Sequence, residues 1–138
     1  MIKWFEFTSI EAERFAKHGE VIKNVRIDHN STITSISKVN ESDVEVHYRF
    51  TINYGGFGII KIEGMIVYQG DADNVYQTWR KSGQLPDDVA TEIHTTIINN
   101  CIPEAMMLSR DLRLPPPLPL PKVEFKRGKK AVFGPEVA

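Results

Sequence analysis

The amino-acid sequence predicts an α+β fold, a four-stranded antiparallel meander sheet with a long proline-kinked helix packed on one face. Three observations predict it. Between Val21 and Gln69 the apolar residues recur with a period of two, the signature of half-buried strands. The breaks in that period are short and turn-forming, so successive strands pair antiparallel. After Asp71 the period changes to that of a helix. With 138 residues the chain is long enough for one core and short for two.

The N-terminal residues read as a helix. Thr8, Ser9, Ile10 and Glu11 have capping-box spacing, with Thr8 as N-cap, Glu11 reaching back to it and Phe7 as the apolar staple. The helix spans residues 9–18 and Gly19 ends it. Trp4, Phe5, Phe7, Ile10 and Phe15 supply its apolar content, directed at the body of the domain or at an oligomer contact.

The first predicted strand, residues 21–28, alternates on Val21, Lys23, Val25 and Ile27, and His29, Ser31 and Asn30 form a turn. The second, residues 32–39, is rich in β-branched side chains, which suit a pleated surface. A turn over residues 40–43 leads to the clearest strand. There Val44, Val46, Tyr48, Phe50, Ile52 and Tyr54 alternate with Glu45, His47, Arg49, Thr51 and Asn53. Gly55, Gly56, Phe57 and Gly58 make a hairpin turn rather than a phosphate loop, because strand and not helix follows and Lys61 lacks an adjoining Ser or Thr. The fourth strand, residues 59–68, is apolar on both faces and calls for a cover on both. The predicted helices supply one cover. A second subunit, or a core made with the N-terminal helix, supplies the other.

Asp71 caps a helix whose Ala72, Val75, Tyr76 and Trp79 share one face, and Gly83 ends it. Pro86 opens a longer helix with Asp87 and Asp88 in its first turn, where the positive helix end favours acids. Val89, Ile93, Ile97, Cys101 and Ala105 form its stripe, widened by Ile98, Ile102 and Met106. Pro103 falls inside this pattern and is expected to bend or divide the helix. Five prolines between Pro115 and Pro121 then exclude helix and central strand. The segment reads as a P-x-x-P ligand over Pro116 and Pro119, or as an extended strap pinned by Leu112, Leu114, Leu118 and Leu120; the interleaved leucines favour the strap.

Composition narrows the function. A hydrophobic content of 41% with a single cysteine excludes a disordered chain and a disulfide scaffold, and points to a reducing, cytoplasmic setting. No apolar run reaches membrane-spanning length, and residues 1–19 are too charged for a signal peptide. The net charge of −1 argues against nucleic-acid binding by bulk charge. That charge is uneven: residues 122–138 carry +3 and the rest −4. Residues 1–123 therefore read as one domain, and 124–138 as a short basic tail.

Catalytic and metal-binding patterns are missing. His18, His29, His47 and His94 have no H-x-x-x-H spacing, and nothing asks for a cofactor. His94 and Cys101 are seven apart on one helix, which suits a small apolar cysteine in the stripe better than a nucleophile pair. No catalytic residue is assigned, and an enzyme is not expected.

The strand run, the proline-interrupted helix through Ile97, Pro103 and Met107, and the exit from Arg110 to Pro115 into Leu118, Pro119, Leu120 and Pro121 resemble the SecB-like chaperones. The resemblance covers residues 21–123. It implies a cytoplasmic, ATP-independent holdase for unfolded or nascent polypeptide, serving protein export or toxin–antitoxin clients. It further implies a homodimer or homotetramer with apolar client grooves and no membrane insertion. Candidate groove residues are Tyr54 and Phe57 at the hairpin tip, Met106 and Met107 on the helix, and Leu114, Leu118 and Leu120 on the strap. Each is equally readable as a core or subunit contact. Two departures stand out: residues 124–138 do not favour the family's second amphipathic helix, and the acids of the outer sheet, where the family's export motor docks, are interleaved with His47, Arg49 and Lys61. The alternative function is a small-molecule or enzymatic module with its pocket between the sheet and the long helix. A structural oligomer with a basic tail for a nucleic-acid partner is a third.

Overall fold

The structure, a computed structural model, describes residues 1–22 and 24–118. The tail at 124–138, and Leu120 with it, lie outside the described residues. Strand structure begins at once: β1 spans Ile2–Arg14, β2 Asp28–Lys38, β3 Asp43–Asn53 and β4 Gly58–Gln69. Helix α1 spans Ala72–Ser82 and α2 Asp87–Asp111. Among the described residues, no helix is long and apolar enough to cross a membrane.

The predicted N-terminal helix is a strand. β1 pairs antiparallel with β4, placing Phe5 beside Ile66, Phe7 beside Gly64, Ile10 beside Ile62 and Ala12 beside Ile60. Register shifts between Ile2 and Trp4, and between Phe7 and Ser9, each insert an extra residue. These bulges stretch the same-face spacings from Ile2 to Phe5 and from Phe7 to Ile10 to three residues, which imitates a helical period. Pairing with the open edge of β4 outweighs the capping box.

The first predicted strand is also displaced. The described residues among 21–27 form no strand, and the expected turn at His29, Asn30 and Ser31 lies within β2. Its polar residues have partners in the fold: Ser31 Oγ bonds His94 Nδ1 at 2.7 Å, and His29 Nε2 bonds the Pro117 carbonyl. The sheet order is β1-β4-β3-β2. Only β2, β3 and β4 form a meander; β1 returns beside β4 by a long connection, which is Greek-key order.

β3 and β4 alternate as expected. Val44, Val46, Tyr48, Phe50 and Ile52 of β3 and Tyr54 just past it, with Ile60, Ile62 and Ile66 of β4, are buried on the face that meets the helices. The doubly apolar β4 lies inside the sheet, so its second face is half-exposed rather than sealed. Val89, Ile93, Ile97, Cys101 and Ala105 of α2 close the core, joined by Ala72 and Val75 of α1. Gly64 permits one tight passage: a side chain there would overlap the Glu6 carbonyl and the ring of Tyr48. The Tyr48 hydroxyl instead donates to that carbonyl at 3.2 Å, and its ring stacks on Phe5.

Helix ends follow their local chemistry. The Asp71 side chain accepts from the Asn74 amide at 3.2 Å, and Gly83 ends α1 with φ of 72°. Helix α2 runs undivided across Pro103. Pro103 offers no amide to the Asn99 carbonyl, and both residues lie on the exposed side of the helix.

Candidate functional site

Helix α2 keeps one face against the sheet to its end, then turns its last residues into an open groove. The turn is a Schellman closure: the Leu114 amide reaches the Ser109 carbonyl at 2.8 Å, and the Arg113 amide the Arg110 carbonyl at 3.2 Å. Arg113 takes the left-handed conformation, φ 55°, that this closure requires. The Arg14 guanidinium at the end of β1 fixes the exit by donating to the carbonyls of Leu112, at 3.1 Å, and Arg113, at 2.7 Å. Leu114 folds back onto Gly58, where an added Cβ would lie 2.9 Å from its methyl carbon. Pro117 is buried and held by His29.

These anchors leave a groove of about 450 Å³ lined by Met106, Met107, Ser109, Arg110, Leu114 and Pro116. Leu114 is buried, whereas Met106 is 44% and Met107 53% exposed. Ser109 is buried and spends its hydroxyl on the Met106 carbonyl at 2.9 Å, so the groove meets an occupant with thioethers, a leucine and a proline. Arg110 is its charged member, and its guanidinium lies 3.4 Å from Asp111. A site of this kind takes extended apolar chain and discriminates weakly among sequences, because methionine side chains re-pack around what they meet.

Three of the seven sequence candidates, Met106, Met107 and Leu114, thus share one groove. Leu118 lies just beyond it, 47% exposed. Phe57 is half-buried against the core, and its carbonyl accepts the amides of Phe15 and Ala16. Tyr54 corrects the reading: it is fully buried, and burial raises its pKa against the opposing influence of the Ser109 hydroxyl. It follows β3 directly and closes the hairpin turn, its amide donating to the Gly58 carbonyl at 3.0 Å, but its side chain belongs to the core.

The sequence did not place Ser109, Arg110 or Pro116 in the groove: Pro116 reads there only as part of the proline segment, Arg110 only as the helix exit, and Ser109 carries no pattern of its own. The sequence also placed Ile98 with the buried stripe, but Ile98 is 44% exposed. Ile98, Ile102 and Met106 continue the row of Ala90 and His94 along the β2 side of α2 and lead apolar surface toward the groove. Their spacing of four was the available signal.

A second cleft, about 260 Å³, lies between β2 and the two helices, lined by Ile33, Trp79, Gln84, Leu85, Asp87 and His94 among others. Burial lowers the His94 pKa, and its Nδ1 is engaged by Ser31. Cys101 sits against Tyr48, and burial pushes its thiol up to about 12, so it carries negligible thiolate at neutral pH. The two do not form a nucleophile pair. No group of three His, Cys, Asp or Glu among the described residues is placed to hold a metal ion.

On the opposite, open face of the sheet the acids have basic neighbours. Lys3 meets Asp43 at 3.0 Å, Lys61 meets Glu11 at 3.6 Å, Arg49 meets Glu63 at 2.9 Å and His47 meets Glu45 at 2.9 Å.

No protein-family model matches the chain, and no curated protein matches it. Among solved structures it is similar to the SecB-like chaperone Rv1957 of Mycobacterium tuberculosis, solved in complex with a ChAD peptide from the Rv1956 HigA1 antitoxin. The TM-score is 0.58 at 13% identity, over 91% of each chain. At that identity the likeness is one of fold.

Proposed function

We propose that this chain is an ATP-independent holdase chaperone that binds unfolded or nascent polypeptide in extended form at the end of α2. The groove of Met106, Met107, Leu114 and Pro116 carries the reading. Its walls are apolar and solvent-reachable, and the Arg14 clamp and the Leu114 seat on Gly58 hold them open. Burying client apolar surface there yields about 25 cal/mol per Å², enough for reversible holding without a fuel. Similarity of fold to a chaperone that holds an antitoxin peptide supports a polypeptide client. Toxin–antitoxin clients fit better than export, because the ion-paired acids of the open face offer little net charge to an export motor. The setting is cytoplasmic, and neither cofactor nor catalytic step is involved.

The same reading includes a homodimer, pairing again to a tetramer. β1 is a long edge strand with exposed Trp4, Phe7 and Ile10, the kind of edge a second copy covers. Light scattering in solution is expected to give a multiple of 15.7 kDa; a monomer at micromolar concentration contradicts this part.

The functional test is light scattering from a heat-unfolding client mixed with the protein in the absence of ATP. Suppressed aggregation at near-stoichiometric ratios is expected. Unchanged aggregation contradicts the holdase and favours the alternative, a small-molecule module using the 260 Å³ cleft at His94.

A further inference from the structure

Met106, Met107, Leu114 and Pro116 make the walls of the groove at the end of α2 apolar, and the Ser109 hydroxyl is spent on the Met106 carbonyl. Such walls accept many side chains, so selectivity among clients falls to the charged lining residue, Arg110. We propose that the groove prefers an acidic–apolar client segment. In such a segment an apolar residue sits among Met106, Met107 and Leu114, and a carboxylate two positions along the extended chain meets Arg110. The proposal rests on the groove being a site for extended apolar chain, and adds which chain.

Spacing and charge both favour this occupant. Arg110 lies three residues after Met107 and four after Met106. It is therefore their neighbour across one helical turn, about 5 Å further along the axis. Same-face residues of an extended chain repeat every second position, about 6.6 Å apart, so seating one on the methionines brings the next to the guanidinium. That side chain is 74% exposed, and among the described residues it has one carboxylate partner, Asp111 at 3.4 Å. Adjacent helix positions do not face each other, and exposed pairs of this kind are weak. Donors remain for a client carboxylate, which can accept two of them side by side. Neither Asp111 nor Glu104 lines the groove, so no acid there opposes an anionic client. Two influences pull the other way. The carbonyl end of α2 carries about half a negative charge, but its carbonyls are already engaged by the Arg113 and Leu114 amides and by Arg14. Residues 1–121 carry a net −4, but those charges are spread over the molecule and screened beyond about 8 Å at physiological salt. A carboxylate in contact with Arg110 is screened far less.

The test measures fluorescence anisotropy of short synthetic peptides titrated with the full chain. All share one uncharged fluorophore and the same pair of alternating leucines. The next same-face position carries glutamate, glutamine or lysine, and a fourth peptide moves the glutamate by one position, to the opposite face. The glutamate peptide is expected to bind about threefold more tightly than the glutamine peptide and about tenfold more tightly than the lysine peptide, with the displaced glutamate no better than glutamine. Arg110→Gln is expected to equalise the affinities, and Arg110→Glu to reverse their order; circular dichroism checks that both variants fold. Equal affinities in the unmodified chain, or tighter binding of lysine, overturn the preference and leave the groove standing. A glutamate preference that survives Arg110→Gln overturns the assignment to Arg110. A displaced glutamate that binds as well as the aligned one overturns the two-position spacing. Failure of every peptide to bind, together with unsuppressed client aggregation in the absence of ATP, overturns the groove reading and this proposal with it.

Discussion

Helix α2 presents two faces, one sealed against the sheet and one open to solvent, and its last turn adds a groove. Through Ala105 its inward residues meet the strongly apolar face of β3 and β4, and Ile93, Ile97, Cys101 and Ala105 are wholly buried. Ser109 carries the buried stripe into the last turn, while Met106 and Met107 beside it are about half-exposed, as Ile98 is. The sealed face is fixed by packing, since Val89, Ile93, Ile97, Cys101 and Ala105 all belong to the core. The groove is shaped by its rim, the Arg14 clamp, the Schellman turn and Leu114 on Gly58, and leaves its floor adaptable. One helix thus serves as both scaffold and binding surface, with the boundary drawn by which face meets the sheet.

Substitutions that separate the two regions test this contrast. The largest effect is expected in the scaffold at Gly64→Val, where a side chain overlaps the Glu6 carbonyl and the Tyr48 ring. Urea denaturation should show a loss on the order of 4 kcal/mol or no folded protein, since backbone and an aromatic ring must both move. Next comes a neighbouring pair on α2. Ile97→Ala should cost about 3 kcal/mol through the cavity it leaves, whereas Ile98→Ala, at an exposed position, should stay within about 0.5 kcal/mol. Equal losses at the two sites would break the boundary between buried stripe and open row.

Smaller effects sharpen the account. Pro103→Ala should leave the fold intact and raise stability by about 1 kcal/mol, a fraction of the proline penalty of an ordinary helix interior, because Asn99 lies on the exposed side of the helix. A crystal structure of the variant should show a straighter helix; an unchanged path assigns any bend to packing instead. The smallest effect concerns acid. Lys3 beside Asp43 lowers that carboxyl below its ordinary range. A carboxyl depressed in the folded state contributes stability above its unfolded pKa, and that contribution is lost as pH falls through the folded value. Melting temperatures should therefore fall below about pH 4, and Lys3→Gln should flatten that part of the profile.

The central sheet was legible because β3 and β4 follow an uninterrupted period of two, and each inward residue finds an apolar partner. The ends of α1 were legible because Asp71 and Gly83 act through local geometry. β1 was not, because two bulges gave its apolar residues a helical spacing and the edge that recruits it lies 44 to 66 residues away along the chain. The polar start of β2 was misread for a similar reason: Ser31 and His29 are satisfied by His94 and Pro117, contacts invisible in a local window. For the groove, Met106, Met107 and Leu114 were legible as apolar residues beside a helix-to-proline exit. Tyr54 was misplaced because alternation gives the face of a residue and not the depth of what covers it.

The four methionines allow the central claim to be read directly. Met106 and Met107 line the groove, while Met65 lies half-exposed on the open face of the sheet, beside Glu6 and His47 in register. A chain labelled with carbon-13 at the methionine methyls is titrated with an unlabelled, extended apolar peptide and followed by NMR. Holding at the end of α2 predicts saturable shifts at Met106 and Met107 with Met65 unmoved; shifts at Met65 alone, with Met106 and Met107 silent, would contradict it.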